Sequence, residues 1–152
     1  MIYTKEKIEK IRTFAKKSGL SAPAEFFESP AEELIRVCNG IGSALATDAA
    51  RRRLTGSFRF AECSAAIHDW RYARSDGTEA GRLAADREFR ANMLDEIAFR
   101  RPSWRWLREW QALRLYNAAR EYGRAAWCIA FAESAAKADV SEPAKETEAS
   151  NG

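Results

Sequence analysis

The sequence predicts an all-α protein, and three observations support that prediction. Apolar residues recur at helical spacing through most of the chain. Recognisable start and stop signals separate these helical stretches. No alternating apolar and polar pattern is long enough to indicate a β-strand. With 152 residues, of which 46% are apolar and 31% charged, the chain has the size and composition of one globular domain.

The first third of the chain is predicted to form two short helices followed by a loop. One amphipathic helix covers residues 5–18. A second starts at Ser29-Pro30-Ala31-Glu32, with serine as the N-cap and proline at the first helical position, and ends near residue 37. Asn39 and the glycines after it predict a loop over 39–56, with at most one helical turn over its alanines and arginines.

Three longer helices are predicted in the rest of the chain. The first runs from about residue 57 to residue 74, and Asp76-Gly77-Thr78 connects it to the second, over 79–98. The third is a long, alanine-rich C-terminal helix over about 103–137, for which Gly123 predicts a bend.

The domain organisation follows from these elements. Residues 1–137 are expected to form a single helical domain, and the polar residues 138–152 a disordered tail. The N-terminal residues carry no secretory signal, and no run approaches the roughly 20 apolar residues of a transmembrane segment. We therefore expect a protein that acts in the cytoplasm or is packaged in a particle.

Charge and cysteine content argue against several classes of site. The net charge of +3 is too small to indicate a nucleic acid partner. Cys38, Cys63 and Cys128 are odd in number and widely spaced, which predicts free, buried thiols and leaves one disulfide as the alternative. One histidine is too few for a zinc site of the histidine and cysteine kind, which needs about four protein ligands.

A buried carboxylate and the single histidine form the strongest candidate site. Asp86 interrupts the apolar stripe of its helix, and a carboxylate in such surroundings needs a partner. His68 lies seven residues before Ser75, and Asp86 lies seven residues after Glu79. Two antiparallel helices therefore bring His68 and Asp86 level, each roughly 10 Å from the connection.

Tyr72, one helical turn nearer to the connection, can donate its hydroxyl to the same carboxylate. An imidazole held by a buried carboxylate has the fixed tautomer of a general base. A core histidine that is merely satisfied by Asp86 has the same pattern, so these residues alone leave both interpretations open. Asp69 projects about 100° away from His68 and faces the glycine loop over 39–42, where carboxylate and carbonyl oxygens suit calcium.

Three motifs resemble the phospholipase A2 superfamily: Cys38-Asn39-Gly40-Ile41-Gly42, His68-Asp69-Trp70-Arg71-Tyr72 and Ala85-Asp86…Phe89. The resemblance covers about residues 35–97. It is nearest to the disulfide-poor branch, which includes the phospholipase domain of parvoviral capsid proteins and small bacterial or phage proteins. It implies an antiparallel two-helix catalytic hairpin with a preceding calcium-binding loop.

The resemblance also implies a reaction, the calcium-dependent hydrolysis of the sn-2 ester of phospholipids. His68 looks like the general base that deprotonates a water, and Asp86 like the residue that orients it. Tyr72 looks like the tyrosine that hydrogen-bonds the aspartate. The amide of Gly40 looks like an oxyanion donor. A phospholipid membrane surface is the implied partner.

The implied calcium ligands are the carboxylate of Asp69 and the backbone carbonyls of Cys38, Gly40 and Gly42. The chain departs from the animal secreted enzymes in two ways. It lacks the cysteines that flank the histidine and aspartate pair, so helix packing must hold the site. It also has an insertion of unknown role over residues 43–57.

Tryptophan and arginine alternate at the start of the C-terminal helix. Residues 100–110, RRPSWRWLREW, are predicted to contact a membrane or a partner, and the later aromatic residues to pack in the core. Arg51-Arg52-Arg53 is a charge run that could attract anionic headgroups. The alternative function is a non-catalytic helical module that binds a membrane or a phage or capsid partner.

Overall fold

The computed structural model describes residues 2–42 and 47–141, without the side chains of 130, 131 and 133–141. The prediction of an all-α protein is confirmed, since these residues form seven α-helices and no strand. The helices are α1 Lys5–Ser18, α2 Ala24–Glu28, α3 Ala31–Val37, α4 Asp48–Ser57, α5 Glu62–Ala73, α6 Glu79–Arg100 and α7 Arg105–Ser141. None of the described helices is long and apolar enough to span a membrane.

Helix α1 has the predicted bounds, and α3 begins slightly later than predicted. The side chain of Thr4 caps α1, and Gly19 ends it with a φ of 68°. The N-cap prediction for Ser29 is wrong, because α3 starts after Pro30 with no side-chain cap. The buried guanidinium of Arg12 instead binds the backbone carbonyls of Ser29 and Phe26.

The prediction of a loop over 39–56 is wrong for its second half. Residues 48–57 form α4, and Thr47 caps it by accepting the N–H of Ala50 at 3.2 Å. The prediction that the next helix starts near Ser57 is also wrong. Between α4 and α5 the chain turns at Phe58 and makes a short 3-10 helix, Arg59–Ala61.

Helices α5 and α6 form the predicted antiparallel hairpin, and α7 packs against both of them. Helix α7 is continuous through Gly123 and extends past 137 to Ser141, and the predicted bend at Gly123 stays a prediction. The rest of the predicted tail, 142–152, lies outside the described residues, as does 43–46 of the insertion.

Two apolar clusters position the hairpin. The first joins α1, α2, α3 and α5 and includes the fully buried Ile8, Phe26, Leu34 and Trp70. The second joins α5, α6 and α7 around the following residues: Ile41, Phe60, Ala61, Ala65, Phe89, Met93, Ile97 and Ala112. Helix α5 therefore lies between two cores, which fixes the helix that carries His68.

The three cysteines are free thiols, as predicted. Cys38 and Cys63 are buried, but the prediction of burial is wrong for Cys128, which is exposed. Burial raises the pKa of both Cys38 and Cys63, so neither thiol is activated as a nucleophile.

Candidate active site

The structure brings His68 of α5 and Asp86 of α6 together, as the register of the hairpin predicts. Atom Nε2 of His68 lies 2.8 Å from Oδ1 of Asp86. Both side chains are buried, Asp86 completely. Because an ionised carboxylate can only accept hydrogen bonds, Nε2 carries the proton and Nδ1 keeps the lone pair that a general base needs.

Two aromatic residues hold the imidazole in place. The ring of Phe89 stacks on that of His68, with centroids 4.6 Å apart and planes 26° from parallel. The ring of Tyr72 lies 4.1 Å from that of His68. The hydroxyl of Tyr72 donates to Oδ1 of Asp86 at 2.5 Å, as the sequence predicts. These contacts from α5 and α6 fix the orientation of the imidazole and its partner.

Two arginines that sequence reasoning missed bind the other oxygen of Asp86. Arg120 of α7 donates from Nη1 to Oδ2 at 2.6 Å, and Arg82 of α6 does so at 3.4 Å. Arg82 precedes Asp86 by four residues, a spacing that places both on one helix face and could have revealed the pair. Arg120 lies 34 residues further along the chain, and no local pattern links it to Asp86.

The donors around Asp86 determine its charge. Burial alone would raise the pKa of the carboxyl group. Hydrogen bonds from His68, Tyr72 and Arg120 outweigh burial, and the pKa of Asp86 lies below its ordinary value. Asp86 is therefore ionised at neutral pH and can accept the proton of the imidazole Nε2–H in a hydrogen bond.

Asp69 faces the glycine loop, as its position on α5 predicts. Its Oδ2 accepts the backbone N–H of Asn39 at 2.9 Å. Burial raises the pKa of Asp69 to about 6, although His68 and the backbone amides of Asn39 and Gly40 favour the charged form. A cation beside Asp69 would offset the cost of burying this charge.

Helix α4, within the predicted insertion, supports the glycine loop. Gly40 and Gly42 have φ angles of 80° and 144°, in the region that favours glycine. A Cβ on Gly40 would lie 2.8 Å from Oγ1 of Thr55. The same hydroxyl accepts the backbone N–H of Ile41 at 2.9 Å. Thr55, a buried residue of α4, therefore sets the conformation of the loop.

His68, Asp69 and the glycine loop line one cavity of about 390 Å³, and Asp86 lies behind His68. Ligand sites commonly measure roughly 300–1,000 Å³. Helices α4 and α7, with Phe58 directly after α4, supply much of the remaining wall, through Leu54, Phe58, Leu115, Ala118, Ala119, Tyr122, Gly123 and Ala126. This wall is mostly apolar, which suits a hydrocarbon chain with its polar end at His68 and Asp69. The contribution of α7 was not predicted.

Of the residues predicted to hold calcium, Asp69, Gly40 and Gly42 line the cavity. The thiol of Cys38 lies in the core, 3.4 Å from the carbonyl of Ala66, and the role of the Cys38 backbone carbonyl stays a prediction. No cluster of three His, Cys, Asp or Glu side chains within the described ranges could hold a metal. Asp69 would therefore be the one carboxylate of a site completed by backbone oxygens, and this donor set fits a calcium ion.

The tryptophans at the start of α7 are exposed to solvent. The exposed fractions of Trp104, Trp106 and Trp110 are 64%, 66% and 53%. At 100° per residue, Trp106 lies roughly 160° around α7 from Tyr122, which lines the cavity. Trp106, Trp110 and the exposed Leu113, hereafter the tryptophan face, therefore lie on the opposite side of α7 from the cavity.

Comparison with known proteins finds no significant match among family models, curated proteins or solved structures. The function is therefore argued from the order of the three motifs and from the geometry of their side chains.

Proposed function

We propose that the protein is a calcium-dependent hydrolase of the phospholipase A2 type, which cleaves the sn-2 ester of phospholipids. One observation carries the proposal: His68, whose Nε2 lies 2.8 Å from Oδ1 of Asp86, lines an apolar cavity together with Asp69 and the glycine loop. A histidine that only satisfied a core aspartate would need neither a cavity beside it nor a second carboxylate at the cavity wall.

His68 is the general base in this proposal. Its Nδ1 takes a proton from a water as the water oxygen attacks the ester carbonyl carbon. Asp86 remains ionised and stabilises the imidazolium that forms. The proton then passes from His68 to the leaving alkoxide as the C–O bond breaks, which releases a lysophospholipid and a fatty acid.

Asp69 and the backbone carbonyls of Cys38, Gly40 and Gly42 would hold the calcium ion. When bound, calcium supplies a Lewis acid that polarises the ester carbonyl and attracts the lipid phosphate. The amide of Gly40 now favours the charged form of Asp69. As an oxyanion donor, the same amide would have to turn from Asp69 to the oxygen of the ester.

A phospholipid surface is the proposed partner at the mouth of the cavity. Leu54 and Tyr122 line the cavity and are also exposed. Arg51 lies three residues before Leu54 on α4 and therefore on the same side of the helix, and its charge favours the ionised form of Asp69. Apolar and cationic side chains on one rim suit contact with the headgroups and upper acyl chains of an anionic lipid layer.

Hydrolysis of mixed-acyl phospholipid vesicles tests the proposal. Wild type, His68→Ala, Asp69→Asn and the control Asp95→Asn, an exposed aspartate of α6, are compared with calcium and with a chelator. We expect calcium-dependent release of the sn-2 fatty acid by wild type and control, and a rate about 10²–10⁴-fold lower for His68→Ala. No calcium-dependent release by wild type, with a rate equal to that of His68→Ala, rules out the enzyme.

A non-catalytic helical module that binds a membrane or a phage or capsid partner is the second candidate. The tryptophan face favours it, because exposed aromatic residues beside arginines are typical of binding surfaces and this face lies away from the cavity. In such a module the His68–Asp86 pair only stabilises the hairpin. Calcium would then leave the melting temperature unchanged, and His68→Ala would lower it in a protein without hydrolytic activity.

A further inference from the structure

The two oxygens of Asp86 have separate sets of donors. Oδ1 accepts from His68 at 2.8 Å and from Tyr72 at 2.5 Å. Oδ2 accepts from Arg120 at 2.6 Å and from Arg82 at 3.4 Å. Of the two guanidinium groups, only that of Arg120 is within the usual hydrogen-bond distance. Arg120 therefore limits rotation of the carboxylate about its Cβ–Cγ bond, and with it the direction in which Oδ1 faces His68.

Glu79 holds the guanidinium of Arg120 in position. Its Oε1 lies 3.2 Å from Nη2 of Arg120 and 2.7 Å from Nη2 of Arg82. The group comprises two carboxylates, Glu79 and Asp86, and two guanidinium groups, so its formal charges cancel. A neutral cluster of this kind can fix Asp86 beside His68 without adding net charge to the His68–Asp86 pair, hereafter the dyad.

Gly123 allows α7 to approach Tyr72 closely, the residue whose hydroxyl binds Oδ1 of Asp86. A Cβ at this position would lie 3.1 Å from the hydroxyl oxygen of Tyr72, so glycine permits the close approach of α7. Arg120 precedes Gly123 by three residues and therefore lies near it on the helix surface. Helix α7 thus contacts both Tyr72 and Asp86, in addition to forming the wall of the cavity.

We propose that Arg120 is a positioning residue of the His68–Asp86 dyad, through which the seating of α7 on the hairpin sets the orientation of the general base. The inference rests on the proposed function, because it assigns Arg120 a part in that reaction. Arg120 does not touch the substrate in this proposal. It acts through Asp86, whose Oδ2 it binds.

Steady-state kinetics of Arg120→Gln, Arg120→Lys and the control Arg124→Gln test the inference. Arg124 is an exposed residue one turn further along α7. We expect kcat to fall about 10- to 100-fold in Arg120→Gln, because the dyad loses its alignment, while KM stays close to that of wild type. Arg120→Lys keeps the charge and a donor nitrogen but loses the planar guanidinium that binds Asp86 and Glu79 together, so it should recover part of kcat, and Arg124→Gln should match wild type.

The single histidine of the chain provides a second measurement that does not depend on activity. In untagged protein labelled with ¹⁵N-histidine, the imidazole signals come from His68 alone. We expect a sharp Nε2–H signal in wild type and Arg124→Gln. In Arg120→Gln the signal should broaden, because the carboxylate that shields this proton can rotate and the proton exchanges faster with water.

The two measurements separate failure of the inference from failure of the proposed function. A kcat in Arg120→Gln equal to that of wild type, an equal loss in Arg124→Gln, or an effect on KM alone overturns the positioning role. So does an Nε2–H signal that stays sharp in Arg120→Gln. A wild type without hydrolytic activity overturns the proposed function, while the imidazole spectra still decide whether Arg120 orients the pair.

Discussion

Helix α6 buries two carboxylates against α5, and only one of them belongs to the proposed active site. Asp86 and Glu96 are both fully buried. Glu96 accepts the hydroxyl of Ser64 at 2.8 Å and its backbone N–H at 3.2 Å, and Arg100 donates to its other oxygen at 2.7 Å. Asp86 instead meets an imidazole, a phenol and two guanidinium groups, beside a cavity.

The pKa values of the two carboxylates shift in opposite directions, because burial prevails at Glu96 and the hydrogen bonds prevail at Asp86. Burial raises the pKa of Glu96, and its hydrogen bonds with Arg100 and Ser64 only partly offset the rise. The hydrogen bonds of Asp86 outweigh its burial and lower its pKa. A carboxylate on the apolar stripe of a helix therefore does not identify a site. A histidine partner that lines a cavity distinguishes Asp86 from Glu96.

The largest expected difference between the two carboxylates is in hydrolysis. Asp86→Asn should lower the initial rate about 10²–10⁴-fold, because an amide no longer stabilises the imidazolium or fixes its tautomer. Glu96→Gln should leave the rate of the folded protein close to that of wild type. Assays of both variants with calcium in excess measure the contrast, and equal losses would contradict it.

Calcium should raise the free energy of unfolding through Asp69, and this gain should not depend on Glu96. At a calcium concentration 100 times its Kd, binding adds about 2.7 kcal/mol to the free energy of unfolding. Asp69→Asn should abolish this gain, and Glu96→Gln should retain it. Urea unfolding with and without calcium gives the comparison. A gain that survives in Asp69→Asn would show that calcium binds elsewhere.

Ser64→Ala should destabilise the fold without impairing the site. Loss of the hydroxyl leaves a buried carboxylate, Glu96, short of a donor, which costs about 1–3 kcal/mol. Ser57→Ala, at an exposed serine, is the matched control and should cost much less. Urea unfolding measures both free energies, and equal losses would mean that the Ser64–Glu96 pair contributes nothing specific.

The smallest expected effect is a difference in how stability depends on pH. The lowered pKa of Asp86 contributes stability above its unfolded value of about 3.9, and this is lost as pH falls through the folded pKa. The raised pKa of Glu96 contributes stability below its unfolded value of about 4.3, and this is lost as pH rises through the folded pKa.

Unfolding free energies between about pH 3 and pH 8 test these two signs. Glu96→Gln should reduce the decline on the rising side, to which the raised pKa of Asp69 also contributes, and Asp86→Asn should reduce the decline on the acid side. If both substitutions change the pH dependence of the unfolding free energy on the same side, the pKa values of Asp86 and Glu96 do not shift in opposite directions.

The dyad was predictable because each member departs from a local pattern. Asp86 interrupts an apolar stripe, and His68 lies level with it when residues are counted from the connection. Glu96 interrupts the same stripe three residues after Met93 and was overlooked, because no titratable group of α5 lies at the matching distance from the connection. The counting rule does not find its partner either, because it places Glu96 level with residue 58, whereas Ser64 lies six residues nearer to the connection.

Other features depend on packing that sequence patterns do not carry. Helix α4 was predicted as no more than one helical turn, because it is exposed on nearly all sides, with Thr55 as its buried residue, and so shows no apolar periodicity. Its N-cap, Thr47, was the available signal. Arg120 could not be predicted, since its contact with Asp86 depends on how α7 crosses the hairpin.

The tryptophans divide into an exposed group and a buried group, so intrinsic fluorescence can report what binds to α7. Trp104, Trp106 and Trp110 are exposed, whereas Trp70 and Trp127 are buried. A surface that docks on the start of α7 should shift the emission of the exposed indoles to shorter wavelengths and protect them from acrylamide quenching. A lipid that enters only the cavity should leave the emission of Trp106 and Trp110 unchanged. Fluorescence of the unlabelled chain can therefore report which side of α7 is in use.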